Sequence, residues 1–182
     1  MPNLKTKYRV LSTKYSAFTL IEILVSMTII GFLFSFGYAS FRDFSRRQAL
    51  VGVVKQVQGD LRLAQQKALS GEKPSGCIIP TVRTLNGYNF FVGSTTTYKI
   101  QADCTVVGAV DVKTVTLPAG VTISVSTSDP INHPLVPANT LKFKVLGRGM
   151  NMDPGIWATI ILAQTGVPDS QVVTVTAGGE IK

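Results

Sequence analysis

Side chains able to do chemistry are few and far apart along this 182-residue chain. Its single histidine, His133, lies in a proline-rich loop from Asp129 to Pro134, and no nucleophile motif surrounds it. The chain has no Gly-x-Ser-x-Gly, no His-Glu-x-x-His and no glycine-rich phosphate loop. Its carboxylates are isolated, so no acid and base pair stands out. The sequence therefore predicts neither an enzyme nor a bound cofactor.

Cys77 and Cys104 are the only cysteines. They lie beyond an apolar segment that predicts a membrane anchor, which favours an oxidising compartment and a disulfide. In the chain-entropy model, closing the loop between them would stabilise the folded state by about 3 to 4 kcal/mol. Two separate buried thiols are the alternative. Two thiols and one distant imidazole do not make a four-ligand site, so no metal is predicted.

Glu22 is the only charged side chain in the 24 residues from Phe18 to Phe41. A run of that length exceeds the ~20 apolar residues that span a bilayer, and a carboxylate inside it is costly unless a partner offsets it. Four bases precede the run without an acid, namely Lys5, Lys7, Arg9 and Lys14. Residues 18–182 then carry a scattered +4 of the total +8, too little to argue for nucleic-acid binding.

A basic start before an apolar run has three interpretations: a secretory signal peptide, a plain membrane anchor or a processed anchor. The apolar core of a secretory signal is ~7 to 15 residues, shorter than this run, although Gly37-Tyr38-Ala39 offers a small-x-small cleavage site. A secreted or anchored β domain predicts an uncut leader or a cut after Ala39. Basic residues on the two sides of the run barely favour a cytoplasmic amino terminus.

The segment Ala17-Phe18-Thr19-Leu20-Ile21-Glu22-Ile23-Leu24-Val25-Ser26 resembles the cleavage and methylation signal of type IV prepilins and type II secretion pseudopilins. The match continues through Met27-Thr28-Ile29-Ile30-Gly31. The resemblance implies that a prepilin peptidase cuts between Ala17 and Phe18 and that the new amine of Phe18 is N-methylated. Two departures are Ala17, where the family usually has glycine, and the lack of proline in the helix that follows.

The resemblance also implies the partners. Glu22 would pair with the amine of a neighbouring subunit, so that an unpaired carboxylate is costly and a paired one sets the register of assembly. The expected partners are the prepilin peptidase, other pilin or pseudopilin subunits and the bacterial inner membrane. The chain would cross that membrane once, with a cytoplasmic amino terminus and an exported carboxy-terminal domain, before it enters a pilus or pseudopilus.

The helix is predicted to continue to Ser70. Apolar residues recur there at spacings of three and four, at Leu50, Val54, Val57, Leu61, Ala64 and Ala68, with polar residues that include Asp60 between them. Gly71 and Pro74 supply the stop. Four segments follow from this division: a leader at 1–17, a membrane-spanning half-helix at 18–41, an amphipathic half-helix at 42–70 and an exported β-rich domain at 71–182.

From Gly76 onward the apolar period is two, which indicates strands. They are expected at Cys77 to Val82, Tyr88 to Val92, Tyr98 to Ala102, Lys113 to Leu117, Val121 to Val125, Thr140 to Leu146, Trp157 to Leu162 and Gln171 to Thr176. The predicted fold is α+β, a long amino-terminal helix packed on an antiparallel sheet, as in the pilin fold. Trp157 is expected in the core, and the loop from Thr127 to Asn139 is either a recognition tip or a passive connection.

The later sequence is similar to the GspH/FimT group of minor pilins, on the stretch Leu61 to Ala68, Cys77, and Phe143-Lys144-Val145-Leu146-Gly147-Arg148. Some members of that group bind DNA through a carboxy-terminal Gly-Arg-x-Arg, which is Gly179-Glu180-Ile181-Lys182 here. Glu180 argues against that route, leaving Arg148, Lys142 and Lys144 as weak candidate DNA contacts. The prediction is a minor pilin or pseudopilin, with a DNA-binding competence pilin as the alternative.

Overall fold

The computed structural model of the protein describes residues 18–77, 84–105, 108–135 and 137–182, and of residues 36–40 it describes the backbone only. The chain divides into two compact units, Met1–Phe41 and Arg42–Lys182. The predicted leader at 1–17, with Ala17, lies outside the described residues.

One α-helix, α1 (Leu20–Ser70), supplies 51 residues of the described chain. It runs uninterrupted because no proline occurs between Phe18 and Glu72 to remove a hydrogen bond and clash with the preceding turn. The helix ends where predicted. Gly71 adopts a φ of 64°, the left-handed conformation that glycine takes at low cost, and its N–H donates to the carbonyl of Ala68 at 3.3 Å.

Seven strands follow in the described residues: β1 (Leu85–Ser94), β2 (Thr97–Cys104), β3 (Gly108–Thr116), β4 (Val121–Thr127), β5 (Thr140–Lys144), β6 (Trp157–Gln164) and β7 (Gln171–Thr176). They form an antiparallel four-stranded sheet in the order β3-β2-β1-β5 and an antiparallel three-stranded sheet in the order β4-β6-β7. Two 3₁₀ turns, Ser75–Cys77 and Val145–Gly147, precede β1 and follow β5. The predicted α+β class is confirmed.

The seven strands of the structure lie where the alternation in the sequence predicts strands, but several of them begin or end at other residues than predicted. β7 has its predicted bounds, whereas β3 begins at Gly108 instead of Lys113 because it pairs along the whole of β2. β5 ends at Lys144 because Leu146 has a φ of 56°, which cannot continue an extended strand. Of the strand expected from Cys77 to Val82, Cys77 lies in a 3₁₀ turn and the remaining positions lie outside the described residues.

Both sheets share one core, and α1 packs against it from Leu50 to Ala68. The two sheets meet at the β1–β2 turn, where the N–H of Ile123 donates to the carbonyl of Thr95 at 2.8 Å. The helical residues in the core are Leu50, Val53, Val57, Leu61, Ala64 and Ala68. The predicted face is therefore correct except that Val53 is buried instead of Val54, which packs at the margin of the core.

Asp60 was expected on the polar face of α1, and this expectation is wrong, because its side chain is buried. The hydroxyl of Tyr98 on β2 donates to Asp60 Oδ2 at 2.8 Å, and Lys113 Nζ on β3 donates to Asp60 Oδ1 at 2.6 Å. A buried carboxylate is retained when its oxygens are hydrogen-bonded in this way. Asp60 thus fixes the helix to two strands of the four-stranded sheet.

Candidate functional site

The start of α1 is built around Thr19. Its side-chain Oγ1 accepts a hydrogen bond from the N–H of Glu22 at 3.3 Å, and its carbonyl accepts from the N–H of Ile23 at 3.3 Å. Thr19 is thus the N-cap, and Glu22, three residues later, occupies the acidic position of a Thr-x-x-Glu start. The helix begins two residues after Phe18, at which the sequence predicts processing, and the Phe18 side chain is exposed.

Glu22 lies in the first turn of α1, with its side chain exposed. A carboxylate there interacts favourably with the unpaired N–H groups of the helix start. Within the described residues, Glu22 forms no ion pair with another side chain. Its carboxylate is therefore directed outward, where a cation from outside this unit could reach it.

Exposed apolar side chains form most of the surface of α1 from Leu20 to Phe34. The hydroxyls on this stretch are satisfied by the helix itself: Ser26 Oγ donates to the carbonyl of Glu22 at 2.7 Å, and Ser35 Oγ donates to the carbonyl of Gly31 at 2.9 Å. Internal bonding of this kind leaves few polar groups for water. An apolar helical surface of this extent requires a cover.

Among the described residues, no helix satisfies both the length and the apolarity needed to cross a membrane. The membrane-spanning half-helix predicted at 18–41 is therefore not confirmed. The side chains of 36–40, which include the alternative cleavage site at Ala39, lie outside the described part of the chain.

Cys77 and Cys104 are joined by a disulfide in the structure, with their Cα atoms 6.0 Å apart. Cys77 closes the 3₁₀ turn that follows α1, and Cys104 ends β2. Both side chains are buried. The bond therefore links the chain just beyond the helix to the four-stranded sheet.

The three cations predicted as weak DNA contacts do not have the same surroundings. The ammonium group of Lys142 forms an ion pair with Asp103 at 2.5 Å. Lys144 and Arg148 are exposed, and within the described residues neither forms an ion pair. The structure thus leaves Lys144 and Arg148 free on one surface.

The carboxy-terminal segment matched to Gly-Arg-x-Arg lies along the edge of β7. The N–H of Lys182 donates to the carbonyl of Thr174 at 2.9 Å, and the N–H of Thr174 donates to the carbonyl of Lys182 at 3.0 Å. Lys182 Nζ also lies 3.3 Å from Glu180 Oε1. The segment therefore covers an open strand edge, and part of its positive charge is directed to its own carboxylate.

Trp157 was expected in the core, and this expectation is wrong, because its side chain is 48% exposed. Along β6 the inward positions are Ala158, Ile160 and Leu162, so alternation places Trp157 on the outer face. It borders a cavity of about 740 Å³ that we call the Trp157 groove. Its lining includes Lys144, Arg148, Met152, Ile156, Trp157 and Thr176. The alternation along β6 was the sequence signal for this exposure.

His133 connects two loops beside that groove. Its Nδ1 lies 2.8 Å from Asp153 Oδ2, and its backbone carbonyl accepts a hydrogen bond from Thr127 Oγ1 at 2.8 Å. In the same loop, hydrogen bonds from Asn132 hold the pKa of the Asp129 carboxyl below its usual value. The described part of the loop from Thr127 to Asn139 is thus hydrogen-bonded to itself and to the segment beyond β5.

Comparison with protein families gives a match near the amino terminus. Residues 12–38 match the prokaryotic N-terminal methylation motif, so the chain carries the type of signal found in type IV prepilins and pseudopilins. The motif supports a type IV pilin-like or pseudopilin subunit. No curated protein and no solved structure gives a significant match to the chain.

Proposed function

We propose that this protein is a structural subunit, a minor pilin or pseudopilin, of a type IV pilus-like filament or a type II secretion pseudopilus. The observation that carries the proposal is the methylation motif at 12–38, which overlaps the start of a long, outwardly apolar helix. Such a surface needs a cover of lipid or of other apolar helices. A subunit that moves from lipid into a helical filament core requires it in both places.

The proposed processing follows from the position of Phe18. A prepilin peptidase removes the leader by cutting between Ala17 and Phe18, and the new amine is N-methylated. Only Phe18 then precedes the Thr19 cap, so the amine lies at the end of α1, close to where the helix begins. The apolar helix anchors the subunit in the inner membrane with the carboxy-terminal domain exported, and assembly transfers the helix into the filament.

Glu22 is proposed to set the register of assembly. Its carboxylate is exposed and has no ion-pair partner among the described side chains, so an amine from a neighbouring Phe18 can approach it. Inside a packed bundle of apolar helices, an unpaired carboxylate is costly, whereas a paired one is tolerated. Only the register that brings the two charges together therefore avoids the penalty.

The mature amino terminus tests the processing step. After co-expression with a prepilin peptidase, intact-mass and peptide mass spectrometry should find a chain that begins at Phe18 and carries one added methyl group. Ala17→Leu should block the cut, because a bulky residue replaces the small one before the bond, whereas Ala39→Leu should leave it unchanged. A chain that begins at Met1, or one cut after Ala39, would contradict the proposal.

Filament incorporation tests the charge pair. Glu22→Gln keeps the shape of the side chain and removes its charge, so the precursor should still be processed while incorporation falls at least about tenfold. Asp43→Asn, which removes an exposed carboxylate from the same helix, is the matched control and should assemble normally. Equal incorporation of Glu22→Gln and the unmodified chain would reject the role of Glu22 without affecting the processing result.

A further inference from the structure

We propose that the β domain binds an acidic segment of another protein in the Trp157 groove. This binding is separate from filament assembly through α1 and does not depend on it. The groove lies on the surface formed by the chain after β5 and by the ends of β6 and β7. Three features of this surface support the proposal: an exposed apolar anchor, cations without partners and a backbone already held in place.

The apolar anchor consists of Trp157 with Met152 and Ile156. Trp157 is 48% exposed at the start of β6, and Met152 and Ile156 are only partly buried beside it. Tryptophan, methionine and arginine are enriched at the centres of protein interfaces, where a large rigid side chain is covered by the partner. An apolar side chain of the incoming segment would cover the exposed face of Trp157.

The charge of the groove favours an anionic partner. Lys144 and Arg148 line it, are exposed and form no ion pair within the described residues. Asp153, which also lines it, contacts His133 Nδ1 at 2.8 Å, and the two cations outnumber this single carboxylate. The guanidinium of Arg148 presents a planar fork of donors that matches a carboxylate, and Lys144 adds a point charge.

The backbone around the cations is held before any partner arrives. The N–H of Lys144 donates to the carbonyl of Gly149 at 2.9 Å, and the N–H of Met150 donates to the carbonyl of Ala177 at 3.2 Å. Between them, Leu146 adopts a φ of 56°, which is rare for a residue with a branched side chain and typical of strained functional segments. Binding here would not pay the cost of ordering the loop.

Another protein fits this groove better than a second copy of the chain. No run of acids exists in this sequence, since its two closest acidic residues, Asp103 and Asp111, are eight positions apart. A second copy therefore cannot present several carboxylates on one short segment. Nucleic acid fits less well, because a phosphate backbone requires a longer track of cations than Lys144 and Arg148 provide.

Trp157 is the only tryptophan in the chain, so its fluorescence reports directly on the groove. The full chain, in a nonionic detergent at low salt, is titrated with a blocked Glu-Glu-Leu-Glu-Glu peptide. We expect a saturable blue shift, with binding at least about tenfold weaker for Gln-Gln-Leu-Gln-Gln. Arg148→Ala and Lys144→Ala should each weaken binding about threefold to tenfold, whereas Lys55→Ala, an exposed cation outside the groove, should not.

Four results would overturn the proposal. The first is no change in emission with the glutamate peptide while the thermal melt shows an intact fold. The second is equal affinity for the glutamine peptide. The third is tighter binding of oligothymidylate, which would indicate nucleic acid. The fourth is a blue shift that grows with protein concentration without peptide, which would indicate a second copy. Trp157→Phe, followed by the anisotropy of a labelled peptide, should also weaken binding.

Discussion

At the scale of single residues, Asp60 and Tyr98 form a buried hydrogen bond between α1 and the four-stranded sheet. The carboxylate is 5% exposed and accepts hydrogen bonds from Tyr98 and Lys113. Burial, together with the hydrogen bond and the charge of Asp60, raises the pKa of the Tyr98 hydroxyl above its usual 10.0. The protonated phenol is therefore part of the native contact.

Replacing Tyr98 by phenylalanine should lower the free energy of unfolding by about 1 to 3 kcal/mol at neutral pH, because Asp60 Oδ2 loses a donor. The raised pKa makes the contribution of Tyr98 fully present below its unfolded pKa of 10.0, and it is lost as pH rises through the folded value. Urea denaturation at several pH values should show the gap between the two proteins closing above pH 10.0. A gap that stays constant into the alkaline range would contradict this assignment.

At the scale of elements, the second half of α1 is stabilised by its buried face more than by helix propensity. It contains Gly52 and Gly59, each of which weakens an isolated helix by about 1 kcal/mol. Most helical stability in proteins comes from packing an apolar face against the rest of the fold. Leu61, fully buried at the centre of that face, is the largest such side chain on the helix.

Leu61→Ala should therefore reduce the free energy of unfolding by about 2 to 5 kcal/mol, the range for a buried leucine that leaves a cavity. Leu69, which is 51% exposed two turns later, is the matched control, and its change to alanine should cost less than about 1 kcal/mol. Chemical denaturation of the two variants checks the prediction. Similar losses would mean that the helix does not depend on this buried face.

At the scale of the whole molecule, the disulfide is the covalent link between the chain after the helix and the four-stranded sheet. Its half-cystines are 27 positions apart and fully buried. Closing a loop of that length removes conformations from the unfolded state. The bond therefore raises the free energy of unfolding by the entropy that the unfolded chain loses. A domain of modest size benefits from such a link.

A Cys77→Ser and Cys104→Ser double variant should lose about 3 to 4 kcal/mol of unfolding free energy. Adding a reductant to the unmodified chain should give a loss of similar size, while the double variant should not respond to reductant. Thermal melts with and without reductant, together with labelling of free thiols, provide the measurement. A free pair of thiols in protein from an oxidising compartment would contradict the bond.

Features set by neighbours along the chain could be predicted from the sequence. The spacing of Leu50, Val57 and Leu61 showed the buried face of α1, Gly71 showed its end, and alternation located β7. The methylation motif is likewise a contiguous stretch, so a short segment was enough to indicate it. These properties depend on residues a few positions apart, where the period of a helix or a strand sets which side chains share a face.

Only the tertiary structure decided which charges and aromatic side chains meet. Asp60 was expected on a polar face. In the structure it is hydrogen-bonded by Tyr98 and Lys113, which lie 38 and 53 positions away in the sequence. The sequence groups Lys142 with Lys144 and Arg148, whereas in the structure strand pairing places Asp103 beside Lys142. Alternation separates Trp157 from Ala158, Ile160 and Leu162 on β6, and the packing of β6 decided which of these two faces lies on the core. The sequence alone thus indicated the methylation motif and the order of most elements, whereas burial and ion pairing depended on contacts between distant strands.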